Sequence, residues 1–363
     1  MRDPFPFAPI PALTKAVQPW ADRYGLYTLP LHIHEVLAAA LFYTFIHLVV
    51  SPIVSTWWFP SYYPRHSRSK KVNWDAHVVS IVQSTFINLL ALYVMWHDDE
   101  RREMDWQQRI WAYDGASSLV QSMAAGYFLW DFVTTLCFLD VFGLGLLAHA
   151  SSALTVYTFG FRPFLHYYST VFILYELSTP FLNMHWFFDK VGMTGTRAQL
   201  YNGLVLLFTF ASCRLVWGTY QSAMVYGDMW KALHATPDAG YIAAAALAAK
   251  DAALADPNVN NMVHVTEATT LPAWLAGTYL LANVTLNSLN WFWFVKMIAA
   301  VRKRFEPAKE DKVAVPVPAV SGGEKAVAAT GLEGKTTAPR HRRQASIEDV
   351  MPDSEELRDG TIQ

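Results

Sequence analysis

Long apolar stretches, each broken at helical spacing by a few polar side chains, run along most of this chain. A helix crossing the hydrocarbon core of a bilayer needs about 20 mostly apolar residues. With that window, spans are expected near 34–56, 76–96, 118–137, 139–159, 165–184, 201–226 and 272–300. The third and fourth nearly touch, at Asp140 and Gly143. They form either a tight hairpin or a pair with one re-entrant member, which would reduce seven crossings to six. The fold class is therefore all-α: a polytopic transmembrane helical bundle of about seven spans. The loops carry residues suited to the membrane interface, Trp57, Trp58, Tyr62 and Tyr63 after the first span and Trp106 and Trp111 after the second.

Three regions depart from this pattern. Residues 1–33 hold Pro4, Pro6, Pro9 and Pro11 with Asp3 and Asp22, and read as an extramembrane segment. They lack the basic start and compact apolar run of a cleavable signal peptide, so the first apolar helix is expected to act as its own insertion signal. The bundle then runs over 34–304, with an insert at 227–271. There an Ala-rich stretch, Ala239 to Ala255, lies between Pro237 and Pro257 and contains Lys250 and Asp251. Ala favours a helix, and this one is expected at the interface or in the lumen. Residues 305–363 form a tail, without an aromatic after Phe305. Such a segment buries too little apolar surface to offset its ordering entropy, and disorder is expected. Arg342, Arg343 and Ser346 followed by Glu348 and Asp349 fit a kinase-site pattern that also arises by chance.

Seven spans place loop 57–75 and the C-terminus on one side. That loop carries Arg65, Arg68, Lys70 and Lys71, and the tail begins with Arg302, Lys303 and Arg304, so both are expected to be cytoplasmic. On the other side, Arg101, Arg102 and Arg109 are offset by Asp98, Asp99, Glu100, Glu103 and Asp105.

Composition agrees with the membrane reading. Hydrophobic residues make up 53% and charged residues only 16%, against about a quarter charged in soluble domains. A formal net charge of −2 gives no basic footprint, so nucleic acid is not an expected partner. Cys137 and Cys213 both lie in apolar segments and read as packed thiols rather than a disulfide.

Polar groups inside spans are costly, about 2.5–3.5 kcal/mol for a charge at a helix centre on translocon scales, and they turn inward. Their spacing therefore marks the inner faces. His77, Ser80, Ser84 and Asn88 share one face of the second span; Glu176, Thr179 and Asn183 share one in the fifth. Arg214, Trp217 and Gln221 do so in the sixth, and Asn283, Asn287 and Asn290 in the last. The stripes read either as the lining of a polar interior or as interhelical hydrogen-bond glue. Glu176 and Arg214, both near mid-span, are expected to form an ion pair. Asp131 and His149, on neighbouring spans, fit either a base with its orienter or a structural hydrogen bond; the histidine could also accept an acyl group.

Other chemistries lack their residues. There is no Gly-rich phosphate loop and no set of clustered His boxes for a di-iron site. His32 and His34 are expected at the interface, and His185 with Asp189 offers two ligands, which is not a metal site. No metal and no cofactor is expected. No internal repeat supports a transporter.

Four segments carry a resemblance to a known family. Asn73-Trp74-Asp75-Ala76-His77-Val78-Val79-Ser80 opens the second span; Gly126 to Asp131 matches "GYFLxD"; Glu176 to Asn183 matches "ExSxPFLN"; Leu289 to Phe294 matches "LNxxWF". Over 73–304 the chain resembles the TLC-domain membrane proteins, which include the ceramide synthases, and it is closer to the non-synthase branches. Two departures stand out. Only His149, between Ala148 and Ala150, occupies the place where adjacent histidines are common, and Gln83 stands where many members have His. The resemblance implies a helical bundle with an inner lipid-facing cavity, residence in the endoplasmic reticulum, and a role in lipid metabolism or homeostasis.

The expected ligands are membrane lipids, with an acyl or sphingoid chain held between helices. If the chain is an enzyme, it transfers an acyl group from acyl-CoA to an amine or hydroxyl lipid. His149 and Asp131 would be catalytic, with Glu176, Asn183, Arg214, His77 and Asn290 binding substrate. The alternative is a non-catalytic lipid sensor, chaperone or trafficking adaptor whose tail engages a protein partner.

Overall fold

The computed structural model describes residues 3–162, 164–234 and 271–305, with side chains as far as Arg302. The described residues contain helices and turns and no β-strand. The Ala-rich stretch and the tail lie outside them.

α1 (Pro11–Tyr24) has Pro11 at its first position and buries only Ala21, so it lies on the surface of the protein. α2 (Leu29–Trp58) and α3 (Arg68–His97) follow as long apolar helices. Two short helices, Asp99–Glu103 and Trp106–Trp111, lead to α4 (Gly115–Cys137), which Asp114 caps by accepting from the Ser117 amide at 2.8 Å. α5 (Leu139–Phe159) carries a kink at Gly143, whose φ of 74° only glycine adopts freely. α6 is α-helical over His166–Phe172, 3-10 over Ile173–Ser178 and α-helical again over Thr179–Lys190. α7 (Arg197–His234) and α8 (Ala273–Phe305) close the bundle.

Each apolar stretch in the sequence falls on one of these helices. Five of them, α2, α3, α5, α7 and α8, are long and apolar enough to cross a membrane. The other two are inner helices. α4 is buried all round from Ala116 to Phe128, so no single apolar stripe marks it. α4 and α5 meet as a hairpin at Phe138, with Phe128 against Tyr157 at 5.1 Å between ring centroids and Gln121 donating to the Tyr157 carbonyl at 3.2 Å. The outer surface is apolar: Leu41, Leu48, Leu89, Trp96, Phe208, Val216, Leu281 and Val295 are each at least 62% exposed. A surface of that kind is stable against lipid. This is an integral membrane protein.

Breaks in the helices have local causes. The π-helical turn Ile46–Val50 lies just before Pro52, which lacks an amide donor and crowds the preceding turn. The 3-10 stretch of α6 likewise precedes Pro180.

Several surface expectations change. Trp57, Trp58 and Tyr62 are exposed as interfacial anchors, but Tyr63 is buried and its hydroxyl donates to Asp75 at 3.1 Å. Asp75, fully buried, also accepts from Ser51 at 2.6 Å and Lys71 at 3.0 Å. Trp111 packs against Phe164, with 5.9 Å between ring centroids. Arg109 is spent on Asp228 through two bonds of 2.7 and 3.0 Å. Arg101 is buried over the Tyr167 ring, and burial pushes its guanidinium down to about 10. Both arginines are therefore poor counts in a charge rule.

Candidate functional site

A cavity opens between α3, α4, α5, α6, α7 and α8, with about 1090 Å³ of empty space including its open side. Six of the seven expected site residues line it: His77 from α3, Asp131 from α4, His149 from α5, Glu176 and Asn183 from α6, and Arg214 from α7. The seventh, Asn290 on α8, sits behind Arg214 and accepts from its Nη1 at 3.1 Å. The fifth-span stripe lines the cavity whole, the second-span stripe through His77 and Ser80, the sixth through Arg214, and the last reaches it only behind Arg214.

Arg214 is anchored on four sides. Its Nη2 lies 3.6 Å from Glu176 Oε1 and donates to Thr179 Oγ1 at 2.9 Å; its Nε donates to Ser178 Oγ at 3.0 Å. The expected ion pair is present. Local backbone geometry makes this reach feasible, because Arg214 lies in a π-helical turn, Ala211–Trp217, and Glu176 in the 3-10 stretch of α6. Such irregular turns often mark functional sites. Ser178 was missed from the sequence because it is off the face shared by Glu176, Thr179 and Asn183, and the 3-10 turn redirects it.

A second group joins α3 to α6. Asn183 Nδ2 donates to the Thr179 carbonyl and to Ser80 Oγ, both at 3.0 Å. A carbonyl only accepts, so the amide orientation is fixed and Asn183 Oδ1 faces His77 Nδ1 at 2.7 Å. His77 therefore carries a proton on Nδ1, and in the neutral ring Nε2 is left as an acceptor. The ring stacks on Trp186 at 4.0 Å between centroids. Asn183→Leu leaves two polar groups unpaired and is expected to lower stability by about 1–3 kcal/mol, read as a shift in the detergent-denaturation midpoint.

Asp131 and His149 are arranged differently from the orienter geometry. Both line the cavity, yet no hydrogen bond joins them. Asp131 has Thr135 beside it and Glu176 within electrostatic range. His149 lies between the rings of Phe128 at 6.4 Å and Trp293 at 5.6 Å, with a buried Nδ1 that has no partner. Sequence adjacency of two helices does not fix their rotation about their own axes, so a bond between these two side chains could not be read from spacing. Tyr127, Trp130, Thr134 and Trp293 also line the cavity; Tyr127 and Trp130 lie inside "GYFLxD" and Trp293 inside "LNxxWF".

Among the remaining stripe residues Asn287 and Asn283 join α8 to α7 as interhelical glue, whereas Ser84 and Asn88 bond within their own helix. Asn287 Nδ2 donates to Ser222 Oγ at 3.0 Å and to Asn283 Oδ1 at 2.8 Å.

The family model of the TLC domain matches residues 73–299, which covers this whole site. The chain belongs to the TLC-domain family. It is 35% identical to an uncharacterised TLC domain-containing protein of Schizosaccharomyces pombe, over 84% of this chain and 90% of that one. It is 27% identical to the topoisomerase I damage affected protein 4 of Saccharomyces cerevisiae, over 78% and 88%. It is also 26% identical to TLC domain-containing protein 4 of Homo sapiens, over 41% of this chain and 56% of the human one. No solved structure matches the chain. The TLC domain thus carries the cavity, and all seven expected site residues fall inside it.

Proposed function

We propose that this TLC-domain chain holds a membrane lipid in the cavity and contributes to membrane lipid composition. The observation that carries this reading is the unpartnered Nδ1 of His149 in a mainly apolar cavity that Asp131 also lines. A buried polar group without a partner is costly, and the hydroxyl, amine or amide of a lipid headgroup supplies one. The cavity continues inward: a second chamber of about 500 Å³ shares His149 and Glu176 and is otherwise walled by residues such as Phe128, Val156, Phe172 and Leu286. An acyl or sphingoid chain fits that lining.

Acyl transfer is the catalytic form of this reading. The amine or hydroxyl of a lipid would attack the carbonyl of an acyl-CoA thioester, forming a C–N or C–O bond and breaking the C–S bond. His149 would take the proton lost by the nucleophile and return it to the leaving thiolate. The lone histidine and its missing bond to Asp131 favour the other form, a lipid sensor, chaperone or trafficking adaptor with the same cavity. Residence in the endoplasmic reticulum with a cytoplasmic C-terminus belongs to either.

The test is lipid mass spectrometry on cells lacking the protein, complemented with wild type, His149→Ala or Asp131→Asn at matched expression. One lipid class is expected to shift, and neither variant is expected to restore it. Restoration by both variants removes the polar site from function. If the site survives that test, a purified preparation that forms acylated lipid from acyl-CoA marks the enzyme; one that only co-purifies with lipid marks the binder.

A further inference from the structure

Away from the cavity, the N-terminal segment folds over the start of α2 and brings three ligating side chains together. His32 and His34 were expected at the interface, but they are 2% and 6% exposed, and Glu35, the residue after His34, is 0% exposed. His32 Nδ1 lies 2.9 Å from Glu35 Oε1 and 3.6 Å from Asp3 Oδ2. One ligand atom from each of Asp3, His32 and Glu35 falls within 4.8 Å of the others. We propose that Asp3, His32 and Glu35 bind a divalent transition-metal ion of the zinc type, clamping the N-terminal segment onto α2.

Four observations carry this. First, the spacing fits. Zinc–nitrogen and zinc–oxygen bonds of about 2.0–2.2 Å in a tetrahedral site set ligand atoms about 3.3–3.6 Å apart. His32 Nδ1 stands 2.9 and 3.6 Å from the two carboxylate oxygens, close to that spacing. Second, no lysine or arginine among the described residues pairs with these acids, whose ion-pair contacts there are to histidines alone. Two carboxylates sharing a buried site with a neutral imidazole call for a cation or a proton. Third, Glu35 Oε2 is buried with no hydrogen-bond partner, since the neighbouring Ser122 hydroxyl donates to the Ser118 carbonyl at 2.7 Å. Fourth, a support is in place: His32 Nε2 meets the Tyr113 hydroxyl at 2.7 Å, and Tyr113 stacks on His166. A partner on the far nitrogen is the usual way a ligating imidazole is oriented. His34 is outside the set, its Nε2 being committed to the Phe7 carbonyl at 3.0 Å.

The experiment uses full-length protein in detergent, purified without a histidine tag and stripped with a chelator. It is then titrated with Zn²⁺ alone against a chromophoric competitor, and bound metal is counted by elemental mass spectrometry. One zinc per chain is expected for wild type. Asp3→Asn and Glu35→Gln are expected to lose that zinc, and Tyr113→Phe to weaken it by about 10–100-fold. Asp3 is partly exposed, so Asp3→Asn is the variant least able to disturb folding, and size-exclusion profiles check the others. Wild type without zinc overturns the proposal and leaves a proton shared by the two carboxyl groups. Equal zinc in wild type and Asp3→Asn overturns it as well, marking an adventitious ion. The site is independent of the cavity, so neither outcome bears on lipid binding.

Discussion

Arg214→Gln is expected to destabilise the bundle by about 3–5 kcal/mol, the usual cost of removing one partner from a buried ion pair. Arg214 is 6% exposed and holds Glu176 by charge at 3.6 Å, while Ser178, Thr179 and Asn290 accept its protons. Glutamine reaches fewer of these and carries no charge, so the Glu176 carboxylate is left alone in a low-dielectric interior. Arg214→Lys recovers little, because a single ammonium cannot reproduce a planar fork of donors. Adding Glu176→Gln to Arg214→Gln is expected to recover part of the loss by removing the stranded charge. Denaturant titration in detergent micelles reads all four proteins. A wild-type midpoint for Arg214→Gln means that the pair is ornamental.

Gly126→Ala is the second large effect. α4 meets α2 so closely here that an added Cβ lands against the Val36 carbonyl oxygen and 2.6 Å from Ala39 Cβ. Neither neighbour is a flexible side chain, so one helix must move. Overpacking of this kind costs about 1–3 kcal/mol, and small residues are what permit close helix contact in a membrane. Asp131 follows Gly126 by little more than a turn on the same helix, so a shift of α4 also displaces a cavity wall. Lower stability is expected together with partial loss of the lipid phenotype. Gly277→Ala, where a Cβ meets nothing within 4 Å, is the control. It is expected to be neutral or to gain about 0.5–1 kcal/mol from helix propensity. If both alanines behave alike, the close α2–α4 contact is not what holds these helices.

Apolar runs and polar spacing were enough to read the helices and the membrane setting from the sequence, and to nominate candidate cavity residues. Long apolar runs leave few alternatives in lipid, where each backbone polar group must be satisfied within the segment. Polar residues spaced three and four apart marked cavity-facing positions on α3, α6 and α7, and with Asp131 and His149, which lie in no such stripe, six of the seven chosen residues line one cavity. The TLC motifs fell on the same residues for the same reason, since Asp131, Glu176, Asn183 and Asn290 all lie within them. What periodicity cannot supply is the rotation and height of one helix relative to another. Those depend on contacts distant in sequence, such as Gly126 against Val36, and on breaks such as the π turn around Arg214 and the 3-10 stretch at Glu176. That Asp131 and His149 share a cavity without sharing a bond therefore came from the packing of the helices. The same packing decided that Asn183 fixes the tautomer of His77. The burial of His32 with Glu35 and Asp3 was hidden for a further reason: Asp3 reaches them from a segment without helical periodicity, where spacing along the chain carries no information about distance.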